Sequence, residues 1–365
     1  YQYSLQWFSN LFGSSVDNSE KSSDSSTRIK NLNDHFTLNL YDNVCRSLFE
    51  KHKLLFSLIL TAKILFGDKA LDPIEWRYFL AGPSGSVEPP RNPTDWLGDL
   101  EWAETYRQFH GMSQIPSLKG IEKSLVQQHR EFQKLFDSNE PQNLPLPGEW
   151  NDKLDYFQHM IVIKSIRPDK VPLAIQNFVT KKIGSQFIEP PTFSIAKSFK
   201  DSDYTTPLIF VLSAGSDPVA DFMRFAEEMN MIKKFDTISL GRGQDKKAEN
   251  CINENVSRGG WALLMNCHLA SSFMPKLEAI VENLESVKPH RDFRLWMTSM
   301  PSKTFPVSVL QNSVKMTLEP PSGLKQNVLG TYEALEWKEI EDSTKPDPIK
   351  RLLFGFCFFH AIVQE

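Results

Sequence analysis

The sequence predicts an α/β chain: a helical region to about residue 185, carrying a projecting antiparallel helical hairpin, then a three-layer domain around a parallel sheet. Three observations predict it. Apolar residues keep a three-to-four spacing through the first half. Beyond Pro190-Pro191 the period changes to short apolar runs that alternate with helical patterns. The first of those runs, Leu208–Leu212, leads through Ser213-Ala214-Gly215-Ser216 into Asp217-Pro218, a strand, a small-residue turn and a helix start.

Composition fits packed domains. Of 365 residues, 40% are apolar, 24% charged and 26 are Phe, against disorder and in favour of two or three domains. A formal charge of −4 gives no reason to expect nucleic acid or an anionic membrane as partner. Cys45, Cys251, Cys267 and Cys357 are widely spaced without a C-x-x-C pair, so a reducing compartment is expected and a disulfide framework is not. No apolar run approaches a bilayer span. The lack of an initiator Met and the apolar ending Leu352–Val363 predict a piece of a longer chain.

Tyr3, Trp7, Phe8, Leu11 and Phe12 mark a first helix, and a Ser/Asp-rich stretch follows from Gly13 to Thr27. Ile29, Leu32, Phe36, Leu40, Val44 and Leu48 then stripe a second helix that reads on through Ile64 to Gly67, a good stop residue. Unbroken, Arg28 to Phe66 would reach on the order of 60 Å, longer than the usual globular helix, so the two striped helices joined by a Ser/Asp tip read as a projecting antiparallel hairpin, with a kinked pair lying in a bundle as the alternative. Asp72-Pro73-Ile74-Glu75 is a capped helix start. Gly82 to Pro93 reads as a loop, and Trp76, Trp96, Trp102 and Trp150 as packing anchors. Ser117–Phe136 reads as one amphipathic helix, and Asn151 and Asp169 as caps of the next two.

Buried strands are predicted at Leu208–Leu212, Thr237–Leu240, Trp261–Met265, Phe293–Met297 and Val314–Thr317. Helices are predicted at Val219–Met229, Lys246–Val256 and Phe273–Leu284. These patterns place the boundary between the helical region and the sheet domain at about residue 185.

The layout at residues 207–221 is that of a phosphate-binding loop without its chemistry. A working loop reads G-x-x-x-x-G-K-[ST], its lysine pairing phosphate and its hydroxyl holding Mg²⁺. Here no Lys or Arg occurs from Pro207 to Met223, and Asp217 and Asp221 lie where phosphate charge would. A carboxylate there satisfies the free N–H groups and repels an anion. The third strand supports this. An active domain ends it with a Mg²⁺-binding Asp, and AAA+ enzymes add a Glu, whereas here the chain reads Asn266-Cys267-His268. No bound cofactor is expected. A metal on Cys267 and His268 lacks a second ligand pair. Gly241-Arg242-Gly243 lacks the third glycine of a dinucleotide loop, so a plain turn is expected, with Arg242 a solvated charge. Thr298-Ser299 holds the place of a polar sensor and reads as turn capping. His52, His129 and His159 read as partly exposed helix residues, and no catalytic triad or paired carboxylate is legible.

Long strings along the chain resemble dynein heavy chains of the axonemal type. They include Leu48-Phe49-Glu50-Lys51-His52-Lys53-Leu54-Leu55-Phe56-Ser57, Arg167-Pro168-Asp169-Lys170 and Pro207-Leu208-Ile209-Phe210-Val211-Leu212-Ser213. Asn266-Cys267-His268-Leu269, Phe305-Pro306-Val307-Ser308-Val309-Leu310-Gln311-Asn312 and Glu319-Pro320-Pro321 continue the match. The resemblance implies the lid of the fifth AAA+ module over 1–185, with its buttress hairpin at about 4–56 and its tip near 17–27, then the large subdomain of the sixth at 186–335, a module that does not bind nucleotide, and the start of the sixth lid at 336–365. The residues alone also leave open a divergent active P-loop NTPase domain and a non-motor interaction scaffold. It implies ATP and Mg²⁺ sites elsewhere in a parent microtubule motor. Implied partners are the stalk coiled coil, neighbouring modules, the linker, microtubules, and intermediate and light chains. The implied location is the axoneme of a cilium. Leu32, Phe36 and Leu40 become candidates for contact with the stalk, or simply core residues of the hairpin.

Overall fold

The computed structural model describes residues 2–189, 194–241, 243–320, 323–333, 335, 337–342 and 344–364. The chain divides into two compact units, Tyr1–Phe49 with Thr192–Glu365, and Glu50–Pro191. The hairpin residues thus group with the sheet, whereas the sequence reading places 1–185 in one helical region.

Helices α1 (Gln2–Asn18) and α2 (Ser25–Cys45) form the antiparallel hairpin. Its tip is shorter than expected, because α1 runs on through Gly13 and the turn occupies only residues 19–24. Asp24 caps α2 by accepting the Thr27 N–H at 2.7 Å. Arg28 closes the turn from the other side, donating to Val16 O at 2.8 Å, Ser19 Oγ at 2.6 Å and Glu20 O at 2.9 Å. The expected continuous helix from 28 to 66 does not form. It breaks at residues 46–49, where Ser47 N donates to Val44 O and Leu48 N to Cys45 O, both tighter than helical pairing. The apolar stripe continues across the break, which is why periodicity alone misses it.

The second unit begins with α3 (Glu50–Gly67). Its left-handed stop is Lys69, at φ 56°, and not Gly67. Helices α4 (Pro73–Ala81) and α5 (Asp99–Met112) follow, with Asp72 capping α4 as expected. The single helix read at Ser117–Phe136 is two, α6 (Ile121–Gln127) and α7 (His129–Asp137), parted at Gln128. Next come α8 (Trp150–Lys153), α9 (Tyr156–Ile166) and α10 (Val171–Lys182). The cap of α9 is Asp155, not Asn151: its carboxylate accepts both the Phe157 and Gln158 N–H groups. Asp169 caps nothing and instead pairs with Arg167 at 2.8 Å. Trp102 and Trp150 are buried, and Glu75, also buried, accepts from Ser117 Oγ and Gln158 Nε2.

In the first unit, α11 (Ile195–Lys200) leads to β1 (Leu208–Leu212). The chain then alternates α12 (Val219–Glu228), β2 (Phe235–Ser239), α13 (Asp245–Arg258), β3 (Trp261–Met265), α14 (Met274–Val287) and β4 (Arg294–Ser299). α15 (Val307–Gln311), β5 (Val314–Leu318), α16 (Leu324–Glu333), α17 (Trp337–Glu341) and α18 (Pro346–Gln364) complete it. The sheet order is β2-β3-β4-β1-β5, all parallel, with β1 near the middle and β5 at an edge.

Alternate residues along each strand face opposite layers. Ile209, Leu264, Leu295 and Met297 pack with Ile252, Phe273 and Leu277 of the α13–α14 side. Leu208, Phe210, Leu263 and Trp296 pack with Phe222 and Phe225 of α12. On that face Trp261 and Trp296 meet at 5.3 Å between ring centroids, ringed by Phe199, Phe222 and Phe225. Burial of each such ring contributes about 2–3 kcal/mol.

Candidate functional site

The carboxyl ends of β1, β3 and β4 form the place where open α/β sheets bind ligands. The turn after β1 is folded onto its own protein. Ser213 N donates to Leu318 O at 3.1 Å, and Ser216 Oγ to the same carbonyl at 2.9 Å. The two serine hydroxyls lie 3.0 Å apart. Gly215 takes φ 82°, a value that costs little only without a Cβ, and a Cβ there would point into open space. Asp217 accepts the Val219 N–H at 2.9 Å, so a carboxylate already occupies a donor in the first turn of α12. Asp221 pairs with Arg224 at 3.3 Å, the first cation after the turn.

Asn266, at the end of β3, stands at φ 59°, ψ 40°. Its N–H donates to the Thr298 hydroxyl at 3.0 Å and its Nδ2 to Ser239 Oγ at 3.1 Å. Thr298 and Ser299 lie within β4 and are buried; Thr298 thus joins two strand ends, and Ser299 Oγ donates to Met300 O at 2.8 Å. Cys267 is buried, and burial pushes its thiol up to about 12. His268 Nδ1 accepts the Met300 N–H at 3.1 Å. No cluster of three metal-ligating residues occurs among the described residues. Gly243 stands at φ 80° after β2, and Arg242 lies outside the described residues.

The hairpin candidates separate. Phe36 lies inside the hairpin, its ring 5.4 Å from Phe8 and 6.1 Å from Phe12, both edge-on. Leu32 and Leu40 are half-buried. The more exposed apolar groups are Leu5 at 65% and Ile29 at 59%. His159 is half-buried in α9, its Nε2 finds no partner among the described residues, and burial lowers its pKa to about 4.

One long-range cluster was missed by sequence reasoning. Thr317 on β5 reaches the break after α2, donating its N–H to Arg46 O at 2.9 Å and its hydroxyl to Leu48 O at 2.8 Å. Two ion pairs flank it, Arg46 with Asp201 at 2.5 Å and Lys197 with Asp42 at 2.8 Å. A threonine near a strand end carries no signal of a partner more than 260 residues away.

Strand order, layering and the turn after β1 define an α/β domain of the P-loop, AAA+ class. Residues 203–317 match the family described as "Dynein heavy chain region D6 P-loop domain". Over its whole length the chain is 46% identical to dynein axonemal heavy chain 1 of Homo sapiens, across 8% of that relative. It is 45% identical over 373 aligned residues to dynein axonemal heavy chain 3 of Mus musculus, across 9% of it. With dynein axonemal heavy chain 12 of Homo sapiens it shares 44% identity over 93% of this chain and 11% of the relative. The chain belongs to the axonemal dynein heavy-chain family. It spans about a tenth of the length of these relatives.

Proposed function

We propose that this segment is a non-catalytic, force-relaying part of the motor ring of an axonemal dynein heavy chain. The observation that carries the reading is the turn after β1. It has no cation from Pro207 to Met223, Asp217 sits on the α12 donor, and both serines are spent on Leu318 O. Triphosphate affinity in P-loop domains comes mainly from a lysine and free N–H groups, with Mg²⁺ held by an Asp. Asn266 cannot supply the ionic Mg²⁺ anchor.

In this reading ATP and Mg²⁺ act elsewhere in the parent chain, and ring movement reaches the stalk through the α1–α2 hairpin as a buttress. Candidate stalk contacts are Leu32, Phe36 and Leu40, joined by the more exposed Leu5 and Ile29. Partners are the stalk coiled coil, neighbouring AAA+ modules, the linker, microtubules through the parent stalk, and intermediate and light chains. The setting is the axoneme of a cilium or flagellum.

Titration calorimetry with ATP and Mg²⁺ tests the catalytic half. No heat at millimolar ATP is expected, and micromolar Mg²⁺-dependent binding would overturn it. Deletion of residues 17–27 in the full-length motor tests the relay. ATPase activity and microtubule affinity are expected to uncouple, and unchanged coupling would remove the hairpin's role.

A further inference from the structure

We propose that Thr317 is a positioning residue that fixes the base of the α1–α2 hairpin to the sheet, and that the turn after β1 holds Thr317 in place. The argument starts from strand geometry. In a parallel ladder, successive backbone groups of an edge strand point alternately toward the neighbour and away from it. Val211 of β1 lies opposite Thr317, and Leu212 opposite Leu318. Leu318 O points inward, where it accepts Ser213 N and Ser216 Oγ at 3.1 and 2.9 Å. Thr317 N–H points outward, at the open edge, and donates to Arg46 O at 2.9 Å. Its single hydroxyl proton goes to Leu48 O at 2.8 Å, with Arg46 O at 3.1 Å sharing it.

Two consecutive residues of β5 therefore hold two different parts of the chain. Leu318 anchors the turn that a nucleotide would otherwise order, and Thr317 anchors the peptide that interrupts the long helix. That peptide has left helical pairing at residues 46–49, so its carbonyls need outside donors. Thr317 supplies two. Arg46–Asp201 and Lys197–Asp42 tie the same end of α2 to α11 and the residue after it. The edge of the sheet is thereby covered by the hairpin's own base, and β5 cannot shift at its carboxyl end without disturbing the turn or the hairpin. The inference extends the relay reading by naming where the hairpin is gripped, but its test reads the grip itself.

The experiment is hydrogen exchange with residue-level mass spectrometry on the full-length protein. The amide of Thr317 is expected to be protected although it lies on an outer edge. Thr317→Val should speed exchange at positions 317 and 47–49 by about tenfold, the loss of one hydrogen bond's worth of protection, with β4 unchanged. Thr317→Ser, which keeps the hydroxyl, should restore wild-type rates. Ser213→Ala with Ser216→Ala should speed exchange at 317 as well. A wild-type Thr317 amide as labile as a loop amide would overturn the proposal without any variant, and so would equal rates in Thr317→Val and wild type. Unchanged exchange at 317 in the double serine variant would sink the part assigned to the turn. If these rates behave as stated while the tip deletion leaves motor coupling intact, the grip stands and the relay reading falls.

Discussion

The hydroxyl of Thr298 accepts the main-chain N–H of Asn266 at 3.0 Å, so the end of β4 holds the end of β3. The position that carries Mg²⁺ chemistry in an active domain is thus part of a protein-to-protein lattice, its side chain turned to Ser239 at 3.1 Å. Asn266→Asp alone is therefore expected to leave ATP binding undetectable by calorimetry, because the turn after β1 still lacks a cation. Thr298→Val should lower stability by about 1–2 kcal/mol by leaving that N–H without its acceptor, read from the denaturant midpoint.

Arg28 governs the hairpin tip. Its guanidinium reaches Val16 O, Ser19 Oγ and Glu20 O together, a fork that an ammonium cannot reproduce. Arg28→Ala is expected to destabilise the tip by about 1–3 kcal/mol, with faster amide exchange confined to residues 16–24. Arg28→Lys should recover only part of it.

Phe36 holds the two hairpin helices together through Phe8 and Phe12. Phe36→Ala should cost about 1–3 kcal/mol, less than a fully buried phenylalanine because the site is half open. Helical circular dichroism should fall while the near-ultraviolet signal of Trp261 and Trp296 persists. A loss of that tryptophan signal would show that the hairpin and sheet melt as one.

Acid should weaken the unit formed by Glu50–Pro191 through His159. Burial holds this imidazole at about 4 in the folded chain, below its ordinary 6.5. Between those values the unfolded chain binds a proton that the folded chain does not, so stability is full above pH 6.5 and is lost as pH falls toward 4. The loss should reach roughly 1–3 kcal/mol, read as a falling urea midpoint between pH 7 and pH 5. His159→Gln should flatten that slope.

The thiols should be silent. All four cysteines are buried, and burial pushes Cys251 up to about 11 and Cys267 to about 12. At pH 7.5 a maleimide is expected to label none of them in the folded chain and all four in denaturant.

The parallel sheet, its strand positions, the Asp72 cap and the missing cation of the turn after β1 were legible because each rests on local chemistry. Buried strands need continuous apolar runs, a cap needs a short polar side chain before a helix, and phosphate needs a lysine. The turn residues Ser213, Gly215, Ser216 and Asp217 could thus be chosen from sequence. Their common acceptor, Leu318 O, could not, because β5 returns beside β1 only through the whole α/β winding.

Sequence by itself determined the alternation of apolar runs that makes a P-loop class domain, and the residue types of the turn after β1, which carries no Lys or Arg from Pro207 to Met223. Only tertiary structure decided that the long apolar stripe breaks at residues 46–49, and that the freed carbonyls find Thr317. The reason is physical: helical periodicity is set by neighbours three and four residues away, whereas a broken helix persists only where a distant donor replaces the hydrogen bonds it gives up.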